Sequence, residues 1–542
     1  MKSQVRISTA ALAMIGATIG PILWAEEAHH HALTQEEVGS VNFENSCSAD
    51  VKPDFNRAVA LLHSFQYEQS RGVFETVAKK DPKCAMAQWG IAMSHYHGLW
   101  KNGDLKAGRA AFLQAQQIAA ANQKVTTREK GFIEAIGEIY NQDVNDQASS
   151  AEAYLEKLAF LRTANPGDSE ASIFYALALD VAAPKTDKTF ANQRKCGEIL
   201  EPIFEQQPHH PGVAHYIIHC YDNPVLAEKG LGAARAYAKI APASAHAQHM
   251  PSHIFTRVGS WEESIKSNIH SKRSAAEAEK TSTNGEARDQ RLHAMDYLEY
   301  AYLQTGRNRE AKAILNEMTS LTPVEGLTLT GNYGAAAVPA RYAIERRDWK
   351  AAAELRADPA SVPWAEALTW LAIGEGAARS GNLFRAKEAQ QHLAALRSKT
   401  NEMKNPYWAN QIEVQRREVY AWTLQANGNP DEAIKTMRSA ADLEESMDKD
   451  AVTPGAITPG REMLAELLVV SKQPAQALTE YEAVLKNAPN RFNALYGAAT
   501  AAESAGNAEK AGLYYRKLTD VAKGDERPEL AAARNRLVAA RD

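Results

Sequence analysis

A glycine followed five residues later by a small residue recurs along this chain, at Gly259/Ser264, Gly306/Ala311, Gly381/Ala386, Gly428/Ala433 and Gly506/Ala511. Each pair falls between two stretches of helical periodicity. Glycine enters the left-handed region without steric cost, so it ends one helix and turns the chain. The small residue lets the next helix lie close against the last. A chain punctuated in this way is a series of packed helix pairs. Ala-rich composition, few β-branched runs and 22 prolines placed mostly between the helical stretches agree with an all-α protein.

From Phe55 to Pro82 the pattern is a helix, a tight turn, a second helix and a closing proline, and the clearest copy, further on, places Ala477 and Ala511 34 residues apart. The unit resembles the tetratricopeptide repeat, a helix–turn–helix of 34 residues. Other spacings are longer, so the array is irregular. The resemblance implies an α-α superhelix (solenoid). We expect an N-terminal segment over 26–54, an irregular histidine-bearing half over 55–325 and a plainer repeat half over 326–542. The Gly- and Thr-rich stretch 323–338 and the Pro-containing stretch 449–460 read as breaks or linkers.

Residues 1–25 read as a signal peptide. Lys2 and Arg6 precede a mostly apolar run from Ile7 to Trp24, and Ala25 is a cleavage point before Glu26. The run is short and interrupted by Gly16, Gly20 and Pro21, which argues against a membrane anchor. The mature chain is expected to be exported, periplasmic or secreted, with no membrane span. His29, His30 and His31 read as part of a solvated terminus more readily than as a metal tract. An exported compartment permits disulfides. Sequence order suggests Cys47–Cys84 and Cys196–Cys220, although four cysteines allow three connectivities. A net charge of −5 with interspersed signs excludes a nucleic-acid stripe.

The motifs HSF-x-Y, CAMA-x-WG-x-AMS-x-YH, AHY-x-IH-x-YD, HMPSHIF-x-R and PGREML together resemble a group of exported bacterial tetratricopeptide repeat proteins. The resemblance covers most of the mature chain and implies a fold and a location, not an activity. Within it lie His215 and His219, then His246, His249 and His253. His215/His219 and His249/His253 are H-x-x-x-H pairs, and on a helix such residues share a face with Cβ atoms roughly 5–6 Å apart. In the repeat family, positions 2, 5, 9, 12 and 13 usually face the concave groove. Counting Gly259 as position 15 puts His246, His249 and His253 at 2, 5 and 9, and counting from Gly306 puts His293, Asp296 and Tyr300 there. Counting back from Pro242 as position 32 puts His215 and His219 at 5 and 9, and His63 and His97 fall near position 13 of the first two repeats.

The pattern points to a transition metal held by His215, His219, His246, His249, His253 and His293, with Asp296 or Asp222 as carboxylate. Imidazole suits zinc, copper or iron, and calcium and magnesium prefer oxygen. Taken singly, His63, His95, His97, His209, His210, His270 and His392 read as ordinary core or surface residues. Two alternatives stand beside the metal reading. One is a metal-free scaffold whose groove, lined by His63, His97, Tyr221, Arg257, Tyr297 and Tyr300, hydrogen-bonds a protein or peptide. The other is a metal-dependent hydrolase or oxidoreductase using the same histidines. P-loop, H-E-x-x-H and G-x-S-x-G motifs are absent. Pro251 complicates the second pair: a helix starting there leaves His249 outside it, whereas one starting near Ser244 is kinked.

Overall fold

The computed structural model describes residues 33–100, 103–141, 147–280, 285–324 and 327–539. The signal segment, the tract His29–His31 and the 325/326 boundary lie outside them. Among the described residues every regular element is a helix, and none is long and apolar enough to cross a membrane.

The five turn glycines take positive φ, from 69° at Gly259 to 86° at Gly381. In each turn the next residue donates its N–H to the carbonyl five positions back, as Ser260 to Phe255 and Asn382 to Ala377. This is the Schellman closure, which satisfies carbonyls the helix end leaves over. The partner residues Ser264, Ala311, Ala386, Ala433 and Ala511 are buried. The same closure recurs at four places without glycine. Phe65, Arg347, Lys404 and Lys472 take φ of 55°, 57°, 56° and 59°, Gln66, Asp348, Asn405 and Gln473 donate five residues back, and Ser70, Ala352, Ala409 and Ala477 are the buried small residues. Side-chain caps open many of the helices: Asp104, Asp168, Asn382 and Asn507 each accept from the N–H three residues on.

Helices next in sequence pack on one another, giving the α-α solenoid expected of such pairs. Arg341 lies on Leu329–Glu345 and Asp296 on Glu286–Gln304, and these two helices pack directly across 321–328. Cys47 bonds to Cys84 and Cys196 to Cys220, with Cα separations of 4.7 and 6.1 Å.

The inner side of the coil is occupied by the chain itself. Residues 447–459, here called the strap, cross it. Lys449 Nζ lies 2.7 Å from an Asp222 oxygen, Asp448 N–H donates to Lys185 O at 2.8 Å, and the Tyr297 hydroxyl donates to Thr453 O at 3.0 Å. Beyond the strap, Arg491 donates to the Tyr300 hydroxyl at 3.0 Å and Trp261 Nε1–H to Asn490 O at 2.9 Å. The surface that repeat counting reads as an open groove is therefore a buried interior.

Candidate metal centre

Four chain segments meet at the histidines. Helix Pro211–Tyr221 carries His215 and His219, and Gly212 brings it against helix Lys52–His63: a Cβ there would stand 2.5 Å from His63 Nδ1. Ser244 caps helix Ala245–His249, accepting from Ala247 N–H at 3.1 Å. Met250 is itself helical at φ −52° and ψ −36°, and Pro251 opens the next helix, Pro251–Arg257. The interruption leaves the four-residue pair intact, with His249 Nε2 and His253 Nε2 3.0 Å apart. His293 comes from helix Glu286–Gln304, its ring 4.2 Å from that of His249.

Among the described residues the histidines form two buried trios, His215/His219/His246 and His249/His253/His293, the potential ligand atoms of each within 4.8 Å of one another. In the first, His215 Nε2 lies 3.1 Å from His219 Nε2 and 3.0 Å from His246 Nε2. The rings of His219 and His253, one from each trio, have centroids 6.3 Å apart. Phe65 sits on the first trio, 4.4 Å from His215 and 5.6 Å from both His219 and His246. That contact gives a reason for Phe, rather than Gly, in a left-handed turn.

The outer nitrogens decide the protonation of the inner ones. His215 Nδ1 faces the carbonyl oxygen of His63 at 2.6 Å. His253 Nδ1 faces an Asp222 oxygen at 2.9 Å. His249 Nδ1 faces Asn268 Oδ1 at 2.7 Å, and the Asn268 amide nitrogen is spent on Ser264 O at 2.9 Å. Each of these partners only accepts, so each Nδ1 carries the proton and each neutral ring presents a bare Nε2. His249 and His253 thus point two lone pairs at one another across 3.0 Å. A cation held between them would make that contact favourable. A proton is disfavoured: burial, then the neighbouring His253, lowers His249 well below its ordinary value, and burial lowers His253 although Asp222 opposes it. Burial brings His215 down to about 3. With metal–nitrogen distances of 2.0–2.1 Å, adjacent ligands of a tetrahedral ion lie about 3.3 Å apart, close to the separations seen.

Asp222 is the carboxylate of the site. Burial would raise it, but Lys449 and Arg257 outweigh burial and hold it well below the usual range. Arg257 Nε donates to it at 2.9 Å. Asp296, placed by counting in the same groove, is not brought to the imidazoles: buried Arg341 holds one of its oxygens. The other predicted lining residues separate. The Tyr297 ring stacks on His253 at 4.8 Å. Tyr300 joins Arg491 instead. Tyr221 points toward helix Ala191–Gln206, donating to Glu201 at 2.6 Å. His97 stacks on Tyr67 at 4.0 Å, outside the trios. His63 belongs to another network, in which Glu170 bridges His63 and His210 at 3.0 Å each. Asn268, Lys449, Phe65 and the His63 carbonyl were not singled out from the sequence. Only Phe65 carries a signal there, within HSF-x-Y.

Residues 55–123 and 462–528 match the tetratricopeptide repeat family, whose repeats generally bind proteins or peptides. No curated protein matches the chain. Similar solved structures include the Cut9–Hcn1 hetero-tetramer of the APC/C, at 11% identity over 91% of this chain and 90% of that one, with a TM-score of 0.30. A monomeric IFIT1 mutant with Gppp-AAAA gives 13% identity, 81% and 90% coverage, and a TM-score of 0.32. Yeast Tom70 gives 13%, 90% and 89%, and 0.29. Scores this low carry nothing from those proteins to this chain.

Proposed function

We propose that the chain is an exported repeat protein that holds a transition metal, zinc, copper or iron, in the two histidine trios. The repeats support a protein-interaction scaffold; the metal is the finer reading. The observation that carries it is the His249–His253 contact, 3.0 Å between nitrogens whose rings both donate from the far side to acceptors. A carboxylate or carbonyl behind a metal-bound imidazole fixes its tautomer and raises its basicity, the part taken by Asp222 for His253. Three protein ligands per ion leave a position for water or substrate, as in catalytic rather than structural zinc sites. This supports a hydrolase or oxidoreductase over a structural ion.

Elemental analysis of the purified full chain, dialysed free of loose ions, tests the reading. We expect transition metal in stoichiometric amount, reduced by at least half in the His249→Ala, His253→Ala double variant, with the helical circular-dichroism spectrum retained. Unchanged metal content in that variant leaves the scaffold alone. Export rests on the n-region and apolar run, and N-terminal sequencing of the protein from its native host tests it. A chain beginning near Glu26 is expected, and one that keeps Lys2 overturns it.

A further inference from the structure

Beneath the strap lies a cavity of about 470 Å³. Tyr333, Tyr407 and Trp408 form one wall, with the ring centroids of Tyr407 and Trp408 5.1 Å apart and those of Tyr333 and Trp408 5.9 Å apart. Its charged lining falls into two classes. Arg257 is paired with Asp222 and Asp448 at 2.9 and 3.6 Å, Lys449 with Asp222 at 2.7 Å, and Arg461 with Glu445 at 2.7 Å. Lys188 donates to the Met447 carbonyl at 2.6 Å. The cations, and the Asp448 and Glu445 carboxylates with them, are thus engaged within the protein.

Glu418 is not. It is 2% exposed, lines the cavity, and its Oε1 has no hydrogen-bond partner among the described residues; the same holds for Gln415 Oε1 beside it. Its charged neighbours are carboxyls. Burial, then Glu444 and Glu375, pushes Glu418 well above the usual range. Glu444 accepts one backbone N–H, from Gly460 at 2.7 Å, and burial brings it up to about 7. Two unpartnered acceptors, one of them on a carboxyl whose charged neighbours are carboxyls, share the lining of one cavity with three aromatic rings, and together form a receptor for positive charge carried on N–H groups.

We propose that this cavity binds an organic cation, an alkylammonium or guanidinium group, with Glu418 as its counter-charge and Tyr333, Tyr407 and Trp408 as its walls. Ring faces attract such cations most where water is excluded. The volume lies within the range of small-ligand sites, roughly 300–1,000 Å³, enough for the head group and a short chain. A hard metal cation is a poor fit, since calcium takes about 6–8 oxygens. The cation comes either from a free amine or from a lysine or arginine side chain of a peptide. The site does not depend on the metal reading, and metal-free protein serves equally.

Isothermal titration calorimetry of the full chain with cadaverine, agmatine, Gly-Lys-Gly and Gly-Arg-Gly tests the proposal, with glutarate as an anion of similar length. We expect at least one cation to bind one-to-one and glutarate not to bind. Binding of the peptides alone identifies a side chain of a partner, and binding of the free amines identifies a small molecule. Glu418→Gln is expected to weaken binding tenfold or more, since the amide cannot ionise against the bound cation, while its melting temperature is unchanged, because Glu418 Oε1 makes no hydrogen bond that the amide would lose. Glu444→Gln, a second variant, is expected to weaken it less. Failure of all four cations, or equal affinity in Glu418→Gln, overturns the proposal.

Discussion

Two interiors of this molecule are built from the same helix pairs yet solve opposite problems. In the C-terminal part, buried Arg491 donates to Glu462 at 2.6 and 3.0 Å and lies 2.6 Å from Glu345. Arg347 and Arg379 meet Glu466 at 2.8 and 2.5 Å. Within this network each charge finds its opposite in the protein, and nothing further is required. In the histidine-bearing part, the inner residues are imidazoles whose outer nitrogens are engaged and whose inner ones face each other. The difference separates a buried polar network whose charges are paired within the fold from one whose inner nitrogens face one another.

The sharpest way to break the contrast is to remove a partner from the closed network. Arg491→Met leaves Glu462 and Glu345 buried without their cation, and breaking a buried pair in this way costs about 3–5 kcal/mol. Urea unfolding of metal-free protein should show that loss, whereas His249→Ala in the same assay should cost far less. Metal removal is next in size. A ligand present at 100 times its Kd stabilises the folded state by about 2.7 kcal/mol. A chelator should therefore lower the melting temperature of wild type, and lower that of the His249→Ala, His253→Ala variant, which keeps the first trio, by less.

A packing change sharpens the comparison from the other side. Ala477→Leu overfills a fully buried turn position and should cost about 1–3 kcal/mol, with metal content at the wild-type level. The smallest effect concerns pH. Burial, partly offset by Arg379, raises the Glu375 carboxyl to about 7. Its folded-state value is then above its unfolded one, so its contribution is complete below about 4.3 and is lost as pH rises through 7. Stability of Glu375→Gln, measured by urea unfolding between pH 5 and 8, should be flatter than that of wild type.

The fold was legible because its punctuation is local. A glycine at φ 69–86° and a small residue five positions on mark a turn that needs no knowledge of the rest of the chain. The turn near Phe65 was legible from the helices on either side of it, but the left-handed residues at Phe65, Arg347, Lys404 and Lys472 were not, because nothing in the residue type announces that conformation. The imidazoles were visible as pairs four apart, since helix periodicity alone puts them on one face. Their supporting groups were not. The choice of Asp222 over Asp296 depends on which helix delivers Arg341 and on a strap lysine 227 residues away. The tautomer of His215 depends on a backbone carbonyl, which has no sequence signature at all.

The strap also bears on how this protein unfolds. In an ordinary repeat array each unit touches only its neighbours, so stability is a sum of local terms and the ends fray independently. Here Lys449 reaches Asp222, and Arg491 reaches Tyr300, 191 residues away. Such closures convert a string of nearly independent units into a cooperative loop, in which melting one end loosens the middle. They also slow assembly, because long-range contacts must wait for the chain between them. The histidines can meet early, from neighbouring helices, but the lysine that holds Asp222 ionised arrives only when the strap has closed.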